Sequence, residues 1–145
     1  MVVHLAIIPQ KFTMGIKMIT LNDYKNSKSV KSLVQKMFEA RQVAHIHHLQ
    51  TKSYSQHKAL NSFYDDILEL ADEFTETYQG QYGILSGYGS IDVKETDIEE
   101  YLNDCAKIFV VGKESLNEKD SHLKNIMDEV IALTYRTIYK IKNLK

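Results

Sequence analysis

The sequence predicts an all-α protein, an antiparallel four-helix bundle with a long loop between its second and third helices. Three observations carry this. Apolar residues recur at steps of three and four in four separate stretches, each roughly 17 to 25 residues long, and strict alternation is absent. Only one proline and six glycines interrupt the 145 residues, which favours long unbroken helices. Four of those glycines fall within Gln79 to Val93, between the second and third stretches, where one long crossover fits.

The elements follow in order. Leu21 to Lys28 is polar and turn-like, with Asn22, Asp23, Asn26 and Ser27 available as caps. The first helix is expected from about Ser27 to Thr51, on the stripe Val30, Leu33, Val34, Met37, Phe38, Ala40 and Ala44. Thr51 to Tyr54 makes the turn. Ser53 followed by Gln56 fits a capping box and opens the second helix, expected to run to about Tyr78. Its stripe is Leu60, Phe63, Ile67, Leu70, Ala71, Phe74 and Tyr78. Thr96 with Glu99 fits another capping box and opens the third helix. There Ile98, Tyr101, Leu102, Cys105, Ile108 and Phe109 point inward. The fourth helix is expected from about Ser121 to Leu144 on Leu123, Ile126, Met127, Val130, Leu133, Thr134, Ile138 and Ile141.

Residues 26–145 therefore read as one bundle domain, a length sufficient for a single core. Residues 1–25 read as an N-terminal arm or extension. Val2 to Ile8 is apolar but far too short to span a bilayer. It has no basic region before it and no small-residue cleavage site after it, so a signal peptide is not expected. The segment is either an arm packed on the domain or a neighbouring subunit, or an upstream extension with synthesis starting at Met14 or Met18. The second is the expectation, since the helical pattern begins after Asn22. Formal charge is −1, which supplies no global attraction to nucleic acid or an acidic membrane. The single cysteine, Cys105, has no internal disulfide partner, and a cytoplasmic setting is expected. It falls on the apolar stripe and reads as a small core residue.

Chemistry concentrates in Arg41 to Tyr78. Four of six histidines (His45, His47, His48, His57) lie in its first half, and Asp65, Asp66, Glu69, Asp72, Glu73 and Glu76 in its second. Imidazoles and carboxylates together suit iron. Asp72 and Glu76, one turn apart, can share an ion. His57 is about 22 Å from Asp72 by the helical rise, so the two cannot meet on one ion within one chain. A second copy lying antiparallel across a two-fold axis would bring them together and create two equivalent sites.

The stretch resembles the mini-ferritins of the Dps family, the DNA-binding proteins from starved cells. That family places a histidine near the end of its first helix and another twelve residues later. An aspartate follows after fifteen residues and a glutamate after four more. His45, His57, Asp72 and Glu76 reproduce that spacing without a gap. The resemblance implies a ferritin-like bundle that binds and oxidises ferrous ion with oxygen or peroxide and stores the ferric product. It implies His45 and His57 as ligands from one subunit, Asp72 and Glu76 from its partner, and a homo-oligomer, a dimer or larger shell. His48 is an alternative to His45 if the turn is short. Asn61 stands where the family has a further acidic ligand, and Ile46 where it has an aromatic residue. The chain also resembles small ferritin-like proteins of tailed phages and bacteria.

Other readings stand beside this one. The four residues are also ordinary on exposed helix faces, in which case the bundle is a non-enzymatic interaction protein or phage accessory component. His45 and His48, at i and i+3, could instead hold zinc. His47 is expected to be exposed, and Asp65, Asp66, Glu69 and Glu73 to be a solvated face. His122 and Glu129 do not form the paired Glu-x-x-His pattern of larger ferritins. DNA binding through Lys11, Lys17, Lys25, Lys28 and Lys31 at one end and Lys140, Lys142 and Lys145 at the other is not favoured, because such lysines are usually solvated surface.

Overall fold

The computed structural model describes residues 18–27 and 29–145, and every regular element among them is helical. These are α1 (Leu21–Ser27), α2 (Val30–Gln50), α3 (Tyr54–Tyr82), α4 (Ile98–Glu114) and α5 (Ser121–Asn143). Most of the expected N-terminal arm, including Met14, lies outside the described residues.

The helix ends follow local chemistry, with some departures from expectation. Residues 21 to 27 form a helix rather than a turn. Thr20 and Asp23 explain it by capping reciprocally. The Thr20 N–H and hydroxyl donate to the Asp23 carboxylate at 3.0 and 2.7 Å, and the Asp23 N–H donates to Thr20 Oγ1 at 3.2 Å. Ser29 caps α2 by accepting from the Ser32 N–H, two residues later than expected. Ser53 caps α3 as its capping box predicts, accepting from the Gln56 N–H at 3.3 Å. That helix continues past Tyr78 until Gly83, whose φ of 96° only glycine adopts freely. The cap of α4 is Asp97, accepting from the Glu100 N–H at 2.9 Å, instead of Thr96. An aspartate competes better for that role.

α2 packs on α3, α3 on α5, α5 on α4, and α4 on α2. The sequence neighbours α3 and α4 make no such contact, so the connection between them must cross the molecule. It lies along α2. Gln35 donates to the Ser90 carbonyl and accepts from the Gly89 N–H at 3.3 and 3.2 Å, and Tyr88 packs edge-on against Phe38. Farther along, Val93 to Glu95 sit beside Ile46 and His47. Four apolar stripes meet inside. Leu33, Met37, Phe63, Phe74, Leu102, Phe109, Leu123 and Met127 are all fully buried, with Cys105 among them. Burial pushes the Cys105 thiol up to about 12, so it stays protonated at neutral pH. Ile126 and Ile141, expected inward, are half-buried.

Charge also enters this core. Lys36 and Glu39, on α2, are 2% and 3% exposed and bonded at 2.5 Å. Lys36 also donates to the Ile19 carbonyl at 2.8 Å, and the Ile19 N–H donates back to Glu39 at 3.0 Å. The Tyr101 hydroxyl, from α4, donates to Glu39 at 2.7 Å, while the ammonium sits 4.7 Å from its ring centre. Every polar atom of the pair is therefore matched, the condition for tolerating buried charge. Burial, then the neighbouring Cys105 and Glu39, hold the Tyr101 hydroxyl well above its ordinary value.

Two substitutions probe this packing. Lys36→Met should leave Glu39 buried without its counter-charge, lowering stability by about 3–5 kcal/mol in urea unfolding. At Gly112, a Cβ would stand 2.5 Å from Leu33 Cδ1, because α4 approaches α2 closely there. Gly112→Ala should cost about 1–3 kcal/mol by overpacking, visible as a lower thermal midpoint, whereas Gly80→Ala, with open space around its Cβ, should not.

Candidate functional site

The most organised polar feature is where α2 ends and α3 begins. The connection is only Thr51 to Ser53, so the two helices leave the turn side by side. Thr51 Oγ1 accepts from the Ser53 N–H at 3.1 Å, and Ser53 caps α3, which tightens the hairpin. His48 and His57 then face each other. Each Nδ1 bonds the other residue's backbone carbonyl at 2.8 Å. A carbonyl only accepts, so both Nδ1 atoms carry the proton, and in the neutral rings Nε2 keeps its lone pair. The rings stack 3.7 Å apart at 20°. His45 stacks on Tyr64 of α3 at 4.2 Å, 6.0 Å from His48, and Tyr64 meets His48 edge-on.

The predicted site residues thus separate into two groups. His45, His48 and His57 come together within one chain, with His48 buried and the other two half-buried. Asn61 lies one turn farther along α3, and its amide donates to Asp65 at 2.9 Å. Asp72 and Glu76 are exposed farther down α3, and neither forms an ion pair among the described residues. Among the described residues, no group of three or more histidine, cysteine, aspartate or glutamate side chains is placed to hold a metal ion. The stack gives the reason for the imidazoles. Nearly parallel ring planes keep the two Nε2 lone pairs from meeting on one ion.

His47 differs from expectation. It is half-buried beside Val93 to Glu95. Burial holds its imidazole below the ordinary value, against the pull of Asp97 and Glu95. His122 donates to Gln81 at 2.7 Å, beside Asp120, which accepts from Gln81 at 2.9 Å and from the Tyr82 hydroxyl. That network fastens the start of α5 to the end of α3, away from the hairpin.

Sequence reasoning missed the Lys36, Glu39 and Tyr101 centre. A cavity of about 360 Å³ opens beside it, lined by Ile19, Asn22, Lys36, Tyr101 and Asp104 among others. The signal was present: Lys36 stands three residues after Leu33 and four before Ala40, on the buried stripe itself.

The hairpin and its neighbours define a helical protein with an imidazole-rich turn. A model of a family of unknown function (DUF5856) matches residues 48–141, and the chain belongs to that family. The match takes in His48, His57, Asp72 and Glu76 and begins after His45 and the buried ion pair. No curated protein matches, and no solved structure does.

His48→Phe keeps a ring at the stack but removes the hydrogen bond to the His57 carbonyl and leaves His57 Nδ1 as the only cross-link. It should cost about 1–3 kcal/mol in urea unfolding. His47→Phe, outside the reciprocal pair, should cost less.

Proposed function

We propose that this protein is a ferritin-like iron-binding protein that takes ferrous ion at a site shared by two chains. The observation carrying this reading is the fixed state of His57. Its Nδ1–H is held by a backbone carbonyl, the arrangement that orients imidazoles for metal binding through Nε2. Three further points support it. Four long helices packed in a ring, with one crossover between diagonal helices, agree with an antiparallel ferritin-like bundle. The spacing from His45 through His57 and Asp72 to Glu76 agrees with the mini-ferritin pattern. Asp72 and Glu76 are exposed and free of ion-pair partners among the described residues.

In this reading His57 and His45 face Asp72 and Glu76 of an antiparallel second copy, while His48 positions His57. The residues of one chain alone do not fit an iron ion, for the reason given by the stack. Imidazole accepts the ferrous ion and carboxylate oxygens favour the ferric product, with oxygen or peroxide as the oxidant implied by resemblance. Asn61 adds a neutral amide oxygen, while its amide nitrogen donates to Asp65. Zinc held by His45 and His48, whose ring centres are 6.0 Å apart, is the less favoured alternative, because two imidazoles alone make a weak site.

A second reading is that the bundle is a helical interaction protein without metal chemistry. The reciprocal His48 and His57 bonds favour it, since they account for both residues as a clamp between helices.

Iron titration separates the two. With ferrous ion and peroxide, the wild-type chain should develop ferric absorbance at least about tenfold faster than the His57→Ala, Asp72→Ala double variant. Equal rates would assign the histidines to the clamp alone.

A further inference from the structure

The geometry points to the face formed by α3 and α5 as a self-complementary docking surface for a second copy of this chain. One shallow groove runs between the two helices and changes character along its length. At the end where α3 begins and α5 finishes, it is lined by Lys58 and Lys140 around an apolar floor that includes Tyr54, Ala59 and Leu144. Tyr54 is 77% exposed and Leu144 47%, a degree of apolar exposure that tyrosine-rich interfaces cover. Farther down, the groove is lined by Asp66, Glu69, Glu73 and Glu129, with Arg136 as the single cation among them, over Leu70 and Leu133, so this end stays negative on balance. All four carboxylates and both lysines are exposed. Among the described residues none of the six forms an ion pair. The two ends are oppositely charged and unmatched within the chain.

A two-fold axis running across the groove reverses the helix direction of the partner. It lays the basic end of one copy on the acidic end of the other, twice over, as an isologous contact requires. On α3 the centre of such a pairing falls near residues 65 and 66, midway between Lys58 and Glu73. On α5 it falls near residues 134 and 135, midway between Lys140 and Glu129. The two helices therefore place the axis at about the same level. Helices of 23 and 29 residues give a face about 35 Å long and 20 Å wide, close to the roughly 800 Å² per partner of a stable pair. Oppositely charged ends would also set the register and speed the encounter.

This surface does not rest on the iron reading, although the two share a residue. By helical periodicity His57, Asn61 and Asp72 follow the other edge of α3's exposed surface, whereas Glu76, five whole turns after Lys58, lies on the α5 edge.

Complementary charge reversal tests it on the full chain. Sedimentation velocity of the wild type should show an assembly that dissociates as salt rises. The Lys58→Glu, Lys140→Glu variant and the Glu73→Lys, Glu129→Lys variant should each lose this contact, with the mass of the assembled species falling by half. Mixing the two variants should restore it. A monomeric wild type, an unchanged mass in either variant, or no restoration on mixing would overturn the proposal. Circular dichroism of each variant before mixing identifies any failure to fold, and restoration on mixing then decides the outcome.

Discussion

The buried ion pair of Lys36 and Glu39 is the constraint around which one end of this structure is arranged. Two charges out of water are tolerated only with full hydrogen bonding, and the partners beyond the pair itself come from two places at once. α4 contributes the Tyr101 hydroxyl and ring, and the segment before α1 contributes both backbone groups of Ile19. The chain before α1 therefore cannot leave without taking one hydrogen bond from the carboxylate and one from the ammonium. The pair gives α1 a reason to dock that its seven residues could not supply by apolar burial alone. Tyr24, buried from the same helix, adds to it.

The other end of α2 is held differently. There the three-residue turn brings two helices together with no charge in the interior, and the clamp is made of imidazoles donating to carbonyls. Those carbonyls lie in the last turn of α2 and the first turn of α3. Carbonyls near the end of a helix lack intrahelical partners, so the His48 carbonyl takes its bond from His57 without loss to α2. The same bonds fix which nitrogen of each ring is left with a lone pair.

Much of this was legible in the sequence, and what was not has physical causes. Four amphipathic stretches and a glycine-rich run predict the long helices and the connection, because periodicity records which face is buried. Ser53 with Gln56 predicts the start of α3, because that cap is local. Thr96 failed as a cap because Asp97, one residue on, was a stronger one. The helix at 21–27 was hidden because its reciprocal cap is polar and looks like a turn. Lys36 and Glu39 were hidden because charged residues read as surface, while their neutralisation depends on Tyr101 and Ile19, which are remote in sequence. The histidine cluster was visible as composition. Its pairing was not, since the clamp depends on the length of a turn and the angle at which two helices leave it.

α3 joins these features. Its apolar stripe fills the core against α2 and α5. Its first turns carry the imidazole clamp, and its exposed surface carries carboxylates from Asp65 to Glu76. Such a density of like charge on one helix costs stability through repulsion between residues three and four apart. The intrachain ion pairs among the described residues do nothing to relieve it, since they involve α2, α4, α5 and the connection along α2. A helix can carry that strain when something outside the chain neutralises it. The lysines of a second copy laid along the α5 edge would do so, since Lys58 and Lys140 stand at the other end of that same face.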